Sequence, residues 1–241
     1  GFPQGAQGLE FIMDFQKQAE RFGTRVQEET IESSLLRNGG RHELRLANGD
    51  TIETRALIIA TGARARWLGL PSEQKLRNKG VSSCATCDGA LYRDVPVVVV
   101  GGGDTAMEEA NFLTRFASKV IIIHRRDELR ASKIMQERAM ANEKIEFEWN
   151  AVVDEVLDVE KDEVTGVVVK DVNTGEKKTI DCNALFLAIG HIPNTEPFRA
   201  QLVLDDKGYI VLEDGARSFT NIDGVFAAGD CADHVYRQAV T

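Results

Sequence analysis

Two cysteines separated by two residues, Cys84 and Cys87, are the side chains of this sequence best suited to chemistry. A Cys-x-x-Cys pair can close a small disulfide reversibly, and one of its thiols often has a lowered pKa and reacts as a thiolate. The pair therefore indicates redox chemistry. A zinc site and a structural disulfide scaffold are the alternatives at this point.

The remaining cysteines and histidines weaken both alternatives. Cys182 and Cys231 stand alone, and the four histidines are scattered, so no second Cys/His pair follows at zinc-ligand spacing. We therefore expect no metal site. A chain of 241 residues is also too long for a disulfide scaffold. We expect Cys182 and Cys231 to be small buried apolar residues, and the compartment to be reducing and cytoplasmic.

A glycine-rich turn after the cysteines predicts a nucleotide site. Residues 97–100 indicate a strand, residues 101–103 are all glycine, residues 104–116 indicate a helix, and residues 119–123 indicate a second strand. This order matches the dinucleotide fingerprint, in which backbone N–H groups at the helix start face the pyrophosphate. The candidate binding residues are Gly101, Gly103, Asp104, Thr105 and Ala106.

A basic cluster after the second strand distinguishes between the two nicotinamide cofactors. An NAD site usually presents a carboxylate there to the ribose 2′-hydroxyl. This sequence has His124, Arg125, Arg126 and, one turn later, Arg130. Guanidinium groups bind phosphate oxygens bidentately, so the sequence predicts NADPH rather than NADH. We expect the neighbouring Asp127 to start or cap the next helix.

The elements around these motifs predict an α/β protein. Residues 8–22 and 132–141 indicate helices. Further strands are expected at residues 30–36, 41–46, 56–63, 144–149, 151–159, 164–171, 177–181, 184–190 and 224–230. The early strands and the four strands between residues 144 and 181 are expected to form two small meanders. The strand at 56–63 is apolar on both faces, which is typical of a covered, largely parallel sheet.

Composition excludes several classes of function. The chain has 43% hydrophobic and 28% charged residues, and its length suits two domains. A net charge of −9 argues against nucleic acid or an anionic membrane as a partner. No apolar run approaches the ~18 residues that a membrane-spanning helix needs.

Taken together, the motifs resemble those of the bacterial- and plant-type low-molecular-weight thioredoxin reductases. The resemblance rests on residues 84–89, 101–106, 124–130, 188–191 and 229–239. It implies two Rossmann-like, three-layer nucleotide-binding domains of the FAD/NAD(P)-linked disulfide reductase type, with small β-meanders. It also implies FAD and NADPH as cofactors, thioredoxin as the partner, and a homodimer. Residues 1–63 and 197–241 are then expected to form the FAD domain and residues 67–191 the NADPH domain.

The resemblance implies a role for each matching residue. Cys84 attacks the thioredoxin disulfide, Cys87 lies against the flavin and resolves the mixed disulfide, and Asp88 protonates a leaving thiolate. The expected NADPH contacts are Gly101, Gly103, Asp104, Thr105, Ala106, His124, Arg125, Arg126, Arg130, Ile189 and Gly190. The expected FAD contacts are Thr61, Gly62, Ala63, Gly229, Asp230, Arg237, Gln238 and Ala239. The family alternates between its two reactions by domain rotation, for which hinges are expected at residues 64–66 and 192–195.

The sequence departs from the family in extent. The family's first strand, glycine-rich turn and helix, which hold the FAD pyrophosphate, are expected before Gly1, and a closing helix is expected after Thr241. On this expectation the chain is a fragment that binds FAD poorly or not at all.

The sequence leaves three alternative functions beside this one. They are the flavoprotein subunit of an alkyl hydroperoxide reductase, a ferredoxin-linked reductase without nicotinamide binding, and a nucleotide-binding or redox-sensing module without turnover. Arg125 and Arg126 argue against the first, and the intact glycine turn argues against the second. The order of the cofactor motifs around the dithiol argues against the third for the native protein, and a non-catalytic nucleotide-binding module stays open as a description of the fragment.

Overall fold

The computed structural model describes residue 5, residues 7–213 and residues 218–236. The helices are α1 (Gly8–Arg21), α2 (Pro71–Lys75), α3 (Ala85–Asp88), α4 (Asp104–Leu113) and α5 (Lys133–Met140). The strands are β1 (Ile31–Leu35), β2 (His42–Leu46), β3 (Thr51–Thr54), β4 (Leu57–Ile59), β5 (Ala63–Ala65), β6 (Val81–Ser82), β7 (Pro96–Val100), β8 (Lys119–Ile123), β9 (Ile145–Glu148), β10 (Ala151–Val156), β11 (Gly166–Asp171), β12 (Lys177–Asp181), β13 (Ala184–Leu187), β14 (His191–Pro193) and β15 (Val225–Ala227). None of the described helices combines the length and the hydropathy needed to cross a membrane.

The chain divides into two compact units. One unit comprises Gly1–Gly62 with Asn194–Thr241, and the other comprises Ala63–Pro193. Each has its own core, because separate clusters of buried apolar side chains form within each unit. The assignment of one unit to FAD and the other to NADPH stays a prediction.

The unit Ala63–Pro193 is built on a five-stranded parallel sheet in the order β6-β13-β7-β8-β9. Its central strands are apolar on both faces, as expected for a sheet covered on both sides. Val97 and Val99 belong to the core shared with α4, whereas Val98 and Val100 belong to the core shared with β10 and β11. This alternation follows the period of two of a strand. It produces three layers, with helices on one face and the β10-β11-β12 meander on the other.

Two predictions about this unit are wrong. Residues 144–149 were assigned to the meander, but β9 pairs in parallel with β8 in the central sheet. The chain leaves that sheet only at Asn150, whose φ of 51° is in the left-handed region and turns it into β10. Asp127 does not cap the next helix, because α5 begins after Ser132.

The other unit contains the expected meander, with β1, β2 and β3 in sequential antiparallel order. It also contains a two-stranded parallel sheet in which β4 pairs with β15. Ile59 is buried in the core of this unit, but Ile58 is 70% exposed. The prediction that this strand is covered on both faces is therefore wrong at Ile58 in the described part of the chain. The α1 helix is confirmed, although none of its residues is buried.

The two segments expected to act as hinges contain strands that pair with each other. β5 and β14 are antiparallel, with Arg64 opposite Ile192 and Ala63 opposite Pro193. The backbone enters and leaves the sheet-containing unit through this ribbon. Domain rotation about these segments stays a prediction.

A buried carboxylate organises the chain that leads from this ribbon to α2. Glu73 is 0% exposed, and its carboxylate accepts hydrogen bonds from the backbone N–H groups of Leu68, Gly69 and Leu70 at 2.8, 2.8 and 3.2 Å. Hydrogen bonds to an ionised acceptor are stronger than neutral ones, and three of them compensate for burial of the charge. Glu73 therefore fixes a loop that has no regular secondary structure of its own.

We expect Glu73→Ala to lower the free energy of unfolding by about 2 to 4 kcal/mol, because three backbone N–H groups lose a buried acceptor. Glu73→Gln retains one carbonyl oxygen and should lose less. Urea denaturation of the purified chain measures both changes. Glu108→Ala, at an exposed position of α4, is the matched control and should change stability by less than about 0.5 kcal/mol. A loss for Glu73→Ala no larger than that of the control contradicts the expectation.

Candidate active site

Cys84 and Cys87 form a disulfide in the connection between β6 and β7. Cys84 precedes the first residue of α3, and its Sγ accepts a hydrogen bond from the N–H of Cys87 at 3.2 Å. One helical turn brings residues three apart to the same side, which leaves the two Cα atoms 5.3 Å apart. Cys84 is half-buried and Cys87 is exposed. The local geometry thus holds a reactive pair at the surface of the sheet-containing unit.

Asp88 ends the same short helix and is held by a residue that the sequence did not single out. The Ser82 hydroxyl donates to Asp88 Oδ2 at 2.6 Å and accepts from the N–H of Cys84 at 3.1 Å. Burial, followed by the charge of Asp88, raises the pKa of Tyr92. Ser82 was missed because nothing in its spacing marks it, and only its position at the end of β6 brings it to Asp88.

Gly89, the residue after Asp88, lies where the helix that carries the cysteines packs against α4. A Cβ added at Gly89 would lie 2.8 Å from Leu113 Cδ2 of α4. The helix that carries the cysteines therefore packs closely on the helix that follows the glycine-rich turn. This packing explains the need for a glycine immediately after Asp88.

The glycine-rich turn connects β7 to α4 and is packed on its inner side. A Cβ at Gly101 would lie 2.5 Å from the carbonyl oxygen of Ala188 and 2.7 Å from Cβ of Ala106. Around Gly103, by contrast, nothing lies within 4 Å of an added Cβ. The turn is thus closed toward the sheet and open on the side from which a ligand would approach.

Ile189 and Gly190 follow β13, the strand beside β7. Gly190 has a φ of 100°, and its carbonyl oxygen accepts from the N–H of Arg66 at 2.9 Å. Because β7 and β13 are parallel, these residues lie at the same edge of the sheet as the glycine-rich turn. This is the edge at which parallel sheets bind ligands.

His124 joins the glycine-rich turn to the basic segment. Its ring is only 5% exposed and occupies the space that a Cβ at Gly102 would need. Its Nε2 lies 3.1 Å from the carbonyl oxygen of Glu128, and burial lowers its pKa. The Gly102 carbonyl accepts from the N–H groups of Arg130 and Ala131 at 2.7 and 3.1 Å. The His124 side chain is therefore placed to support Gly102 from inside.

The three predicted arginines, Arg125, Arg126 and Arg130, are exposed. In the described part of the chain, their guanidinium groups form no ion pair with a carboxylate. The Asp104 carboxylate bonds to Ser132: its Oδ1 accepts hydrogen bonds from both the N–H and the hydroxyl of Ser132 at 2.8 Å. Its carboxylate thus ties the start of α4 to the start of α5, while Thr105 beside it is exposed.

Four of the predicted flavin contacts, Thr61, Gly62, Gly229 and Asp230, fall in the other unit, at the carboxyl ends of β4 and β15. Thr61 Oγ1 donates to the carbonyl oxygen of Asn194 at 2.6 Å, and Gly62 has a φ of 67°. Gly229 has a φ of 77° and begins a short 3₁₀ turn that contains the half-buried Asp230. Ala63 is the first residue of β5 and belongs to the sheet-containing unit. The remaining predicted contacts, Arg237, Gln238 and Ala239, lie outside the described residues.

Comparisons with known proteins agree with this arrangement. The model of the pyridine nucleotide-disulphide oxidoreductase family matches residues 7–241. The thioredoxin reductase of Mycolicibacterium smegmatis is 50% identical over 242 residues, which cover 100% of this chain and 76% of that protein. The chain belongs to the thioredoxin reductases of the pyridine nucleotide-disulphide oxidoreductase family.

Solved structures of the family share the fold. The thioredoxin reductase from Giardia duodenalis has a TM-score of 0.87 at 41% identity, with 100% of this chain and 78% of that chain covered. The enzyme from Streptococcus pyogenes has a TM-score of 0.85 at 36% identity, with 99% and 77% covered. This chain of the thioredoxin reductase family thus spans about three quarters of the length of these relatives. The likeness confirms the predicted disulfide reductase fold.

The four cysteines of this thioredoxin reductase family member lie in two kinds of environment. Cys182 and Cys231 are buried thiols, as predicted, and burial raises the pKa of Cys182 to about 12. At pH 8 only about one Cys182 side chain in ten thousand is therefore a thiolate, which is the reactive form. Cys84 and Cys87 differ from these two thiols because they are half-buried and exposed, respectively, and are joined in a disulfide.

We expect iodoacetamide at pH 8 to add to only two cysteines of the reduced, folded chain. Intact-mass measurement should show two adducts, mapped by peptide analysis to Cys84 and Cys87. The same treatment in guanidinium chloride is the control and should give four adducts, because unfolding removes the burial of Cys182 and Cys231. A third adduct on the folded chain would contradict the assignment.

Proposed function

We propose that this protein catalyses the NADPH-dependent reduction of the thioredoxin disulfide through FAD and the Cys84–Cys87 pair. The observation that carries the proposal is the placement of a disulfide in the same unit, and at the same edge of one sheet, as an open glycine turn and arginines that form no ion pair within the described part of the chain. Membership of the thioredoxin reductases supplies the reaction class.

The sheet-containing unit fits NADPH. The first N–H groups of a helix have no intrahelical partner, and those of α4 follow the open side of the glycine-rich turn. Ala106 is small, as helix–strand packing at the turn requires. Arg125 and Arg126 follow β8, and to these two guanidinium groups we assign the binding of the 2′-phosphate.

The other unit fits part of an FAD site. Two turns with left-handed glycines, at Gly62 and Gly229, follow parallel neighbouring strands, and ligands bind at such carboxyl ends. Asp230 provides an acceptor for ribityl hydroxyls. When bound, NADPH supplies a hydride and FAD relays the two electrons to the disulfide.

The chain's own residues then carry out thiol–disulfide exchange. The Cys84 thiolate attacks one sulfur of the thioredoxin disulfide, and the leaving sulfur takes the electron pair and a proton from Asp88. The Cys87 thiolate next attacks Cys84 Sγ, releases the second thioredoxin sulfur and restores the Cys84–Cys87 disulfide. Cys87 is the more exposed residue in the structure, so the direction of attack rests on the family resemblance and needs its own test.

Three further features belong to this proposal. Thioredoxin is the partner, and the family resemblance supports a homodimer. The pair of buried free thiols and the reversible dithiol support a reducing, cytoplasmic compartment. The arginines favour a thioredoxin reductase over a hydroperoxide reductase subunit that uses NADH.

We expect Arg125→Ala and Arg126→Ala each to weaken NADPH binding by about tenfold, because each substitution removes a charged hydrogen-bond donor from the 2′-phosphate. NADH lacks that phosphate, so its affinity should change by less than about twofold. Isothermal titration of the purified chain with the two nucleotides measures both constants.

Arg138→Ala is the matched control for this experiment. Arg138 is an exposed arginine of α5, so its removal changes the net charge equally. It should leave the NADPH/NADH affinity ratio unchanged. Equal losses of NADPH and NADH affinity in Arg125→Ala and Arg126→Ala would contradict the proposed 2′-phosphate contact.

We expect Cys84→Ser and Cys87→Ser each to abolish thioredoxin reduction in the flavin-loaded enzyme while NADPH still bleaches the flavin. The two variants should differ in a second measurement. Thioredoxin activated at one cysteine with Ellman's reagent should form a stable mixed disulfide with Cys87→Ser, because Cys84 attacks and no resolving thiol remains. Cys84→Ser should form little of it. Faster capture by Cys84→Ser would reverse the two roles.

A further inference from the structure

We propose that Ser82 is a positioning residue of the dithiol site, which holds the Asp88 carboxylate and the Cys84 backbone in a fixed relation. The inference rests on the proposed role of Asp88 as the acid of thiol–disulfide exchange. Ser82 acts through Asp88 and needs no contact with substrate or cofactor.

The hydrogen bonds around Ser82 orient its hydroxyl. Ser82 Oγ lies 2.6 Å from Asp88 Oδ2, 3.1 Å from the Cys84 nitrogen and 3.5 Å from the Cys84 carbonyl oxygen. The Cys84 N–H can only donate, so it occupies a lone pair of Oγ. The single hydroxyl proton is then available to Asp88 Oδ2 at 2.6 Å or to the Cys84 carbonyl oxygen at 3.5 Å, and the shorter bond to Asp88 is favoured.

The backbone around Ser82 makes it a rigid support. Ser82 is the last residue of β6, lies opposite Phe186 of β13 and is 6% exposed. Its single χ1 torsion leaves little freedom once both hydrogen bonds form. Asp88, in contrast, ends a helix of only four residues, which has little stability of its own. The hydrogen bond from the Ser82 hydroxyl therefore ties the Asp88 side chain to a residue of the sheet.

Tyr92 is a titratable group in the segment that follows Asp88. Burial, followed by the charge of Asp88, raises its pKa, and its ring packs edge-on against Phe186 with centroids 5.8 Å apart. Ser82 and Tyr92 are thus both supported by β13, through the pairing of Ser82 with Phe186 and the ring contact of Tyr92. Without the Ser82 hydroxyl, the Asp88 carboxyl group loses a hydrogen-bond donor and the Cys84 N–H loses its acceptor.

Reduction of the Cys84–Cys87 disulfide by dithiothreitol tests the proposal on the purified chain without flavin or NADPH. One dithiothreitol thiolate attacks a sulfur of the pair, the disulfide breaks, and the leaving sulfur takes the electron pair and a proton from Asp88. The second dithiothreitol sulfur then closes its ring and releases the other cysteine. Acid quenching, alkylation and mass measurement give the rate constant.

Ser82→Ala is expected to slow this reaction by about tenfold, as part of the 10²- to 10⁴-fold effect typical of a general acid. Ser82→Thr keeps the hydroxyl and should restore the rate to within about threefold. Ser83→Ala is the matched control, since this neighbouring half-buried serine has no side-chain hydrogen bond in the described part of the chain. In an Asp88→Asn background, Ser82→Ala should cause no further loss.

Each contrary result overturns a distinct claim. An unchanged rate in Ser82→Ala, or an equal loss in the presence and absence of Asp88, overturns the positioning role. The role is also overturned if Ser82→Thr is as slow as Ser82→Ala while its thermal unfolding midpoint equals that of the wild type. An unchanged rate in Asp88→Asn overturns the acid role in the proposed function, and the role of Ser82 falls with it.

Discussion

Parallel pairing in the central sheet is the constraint on which the candidate site depends. β6, β13, β7 and β8 run in the same direction, so the segments that follow them emerge at one edge. These segments are, in order, the dithiol, Ile189–Gly190, the glycine-rich turn and the basic loop. Residues up to about a hundred positions apart in sequence are thereby brought to one side of a single unit. The pairing itself requires strands that are apolar on both faces, such as residues 97–100.

Close contacts between these segments then make the edge a rigid surface. Because glycine has no side chain, the Ala188 carbonyl packs directly against Gly101 and the His124 ring packs directly against Gly102. Two backbone hydrogen bonds to the Gly102 carbonyl and two from Ser132 to Asp104 hold the basic loop against the turn. The glycine-rich turn and the loop that carries the arginines are therefore held in one arrangement by contacts within the chain. Preorganisation of this kind lowers the ordering cost of binding.

The sequence predicted most of this architecture because its signals are local. The apolar runs at residues 97–100 and 119–123, the glycine triplet between them and the arginines after them each appear in one short window. The failures are non-local. β9 resembles the meander strands in composition, and only its pairing with β8 places it in the sheet. Ile58 is apolar in an apolar strand, yet the described residues leave one face of the β4–β15 pair open. Ser82 and Glu73 are polar side chains whose importance arises from burial, which no spacing in the sequence reveals.

The same sheet also separates the reactive cysteines from an unreactive one. Cys182 precedes β13, whereas Cys84 follows its parallel neighbour β6, so the two residues lie toward opposite edges. Thiol–disulfide exchange requires contact between a thiolate and a sulfur of the disulfide. Cys182 lies toward the other edge of the sheet, and burial raises its pKa to about 12, so it meets neither condition. The fold thus protects the Cys84–Cys87 pairing from internal exchange with Cys182 by strand direction and burial together, which leaves the pair free to react with an external partner.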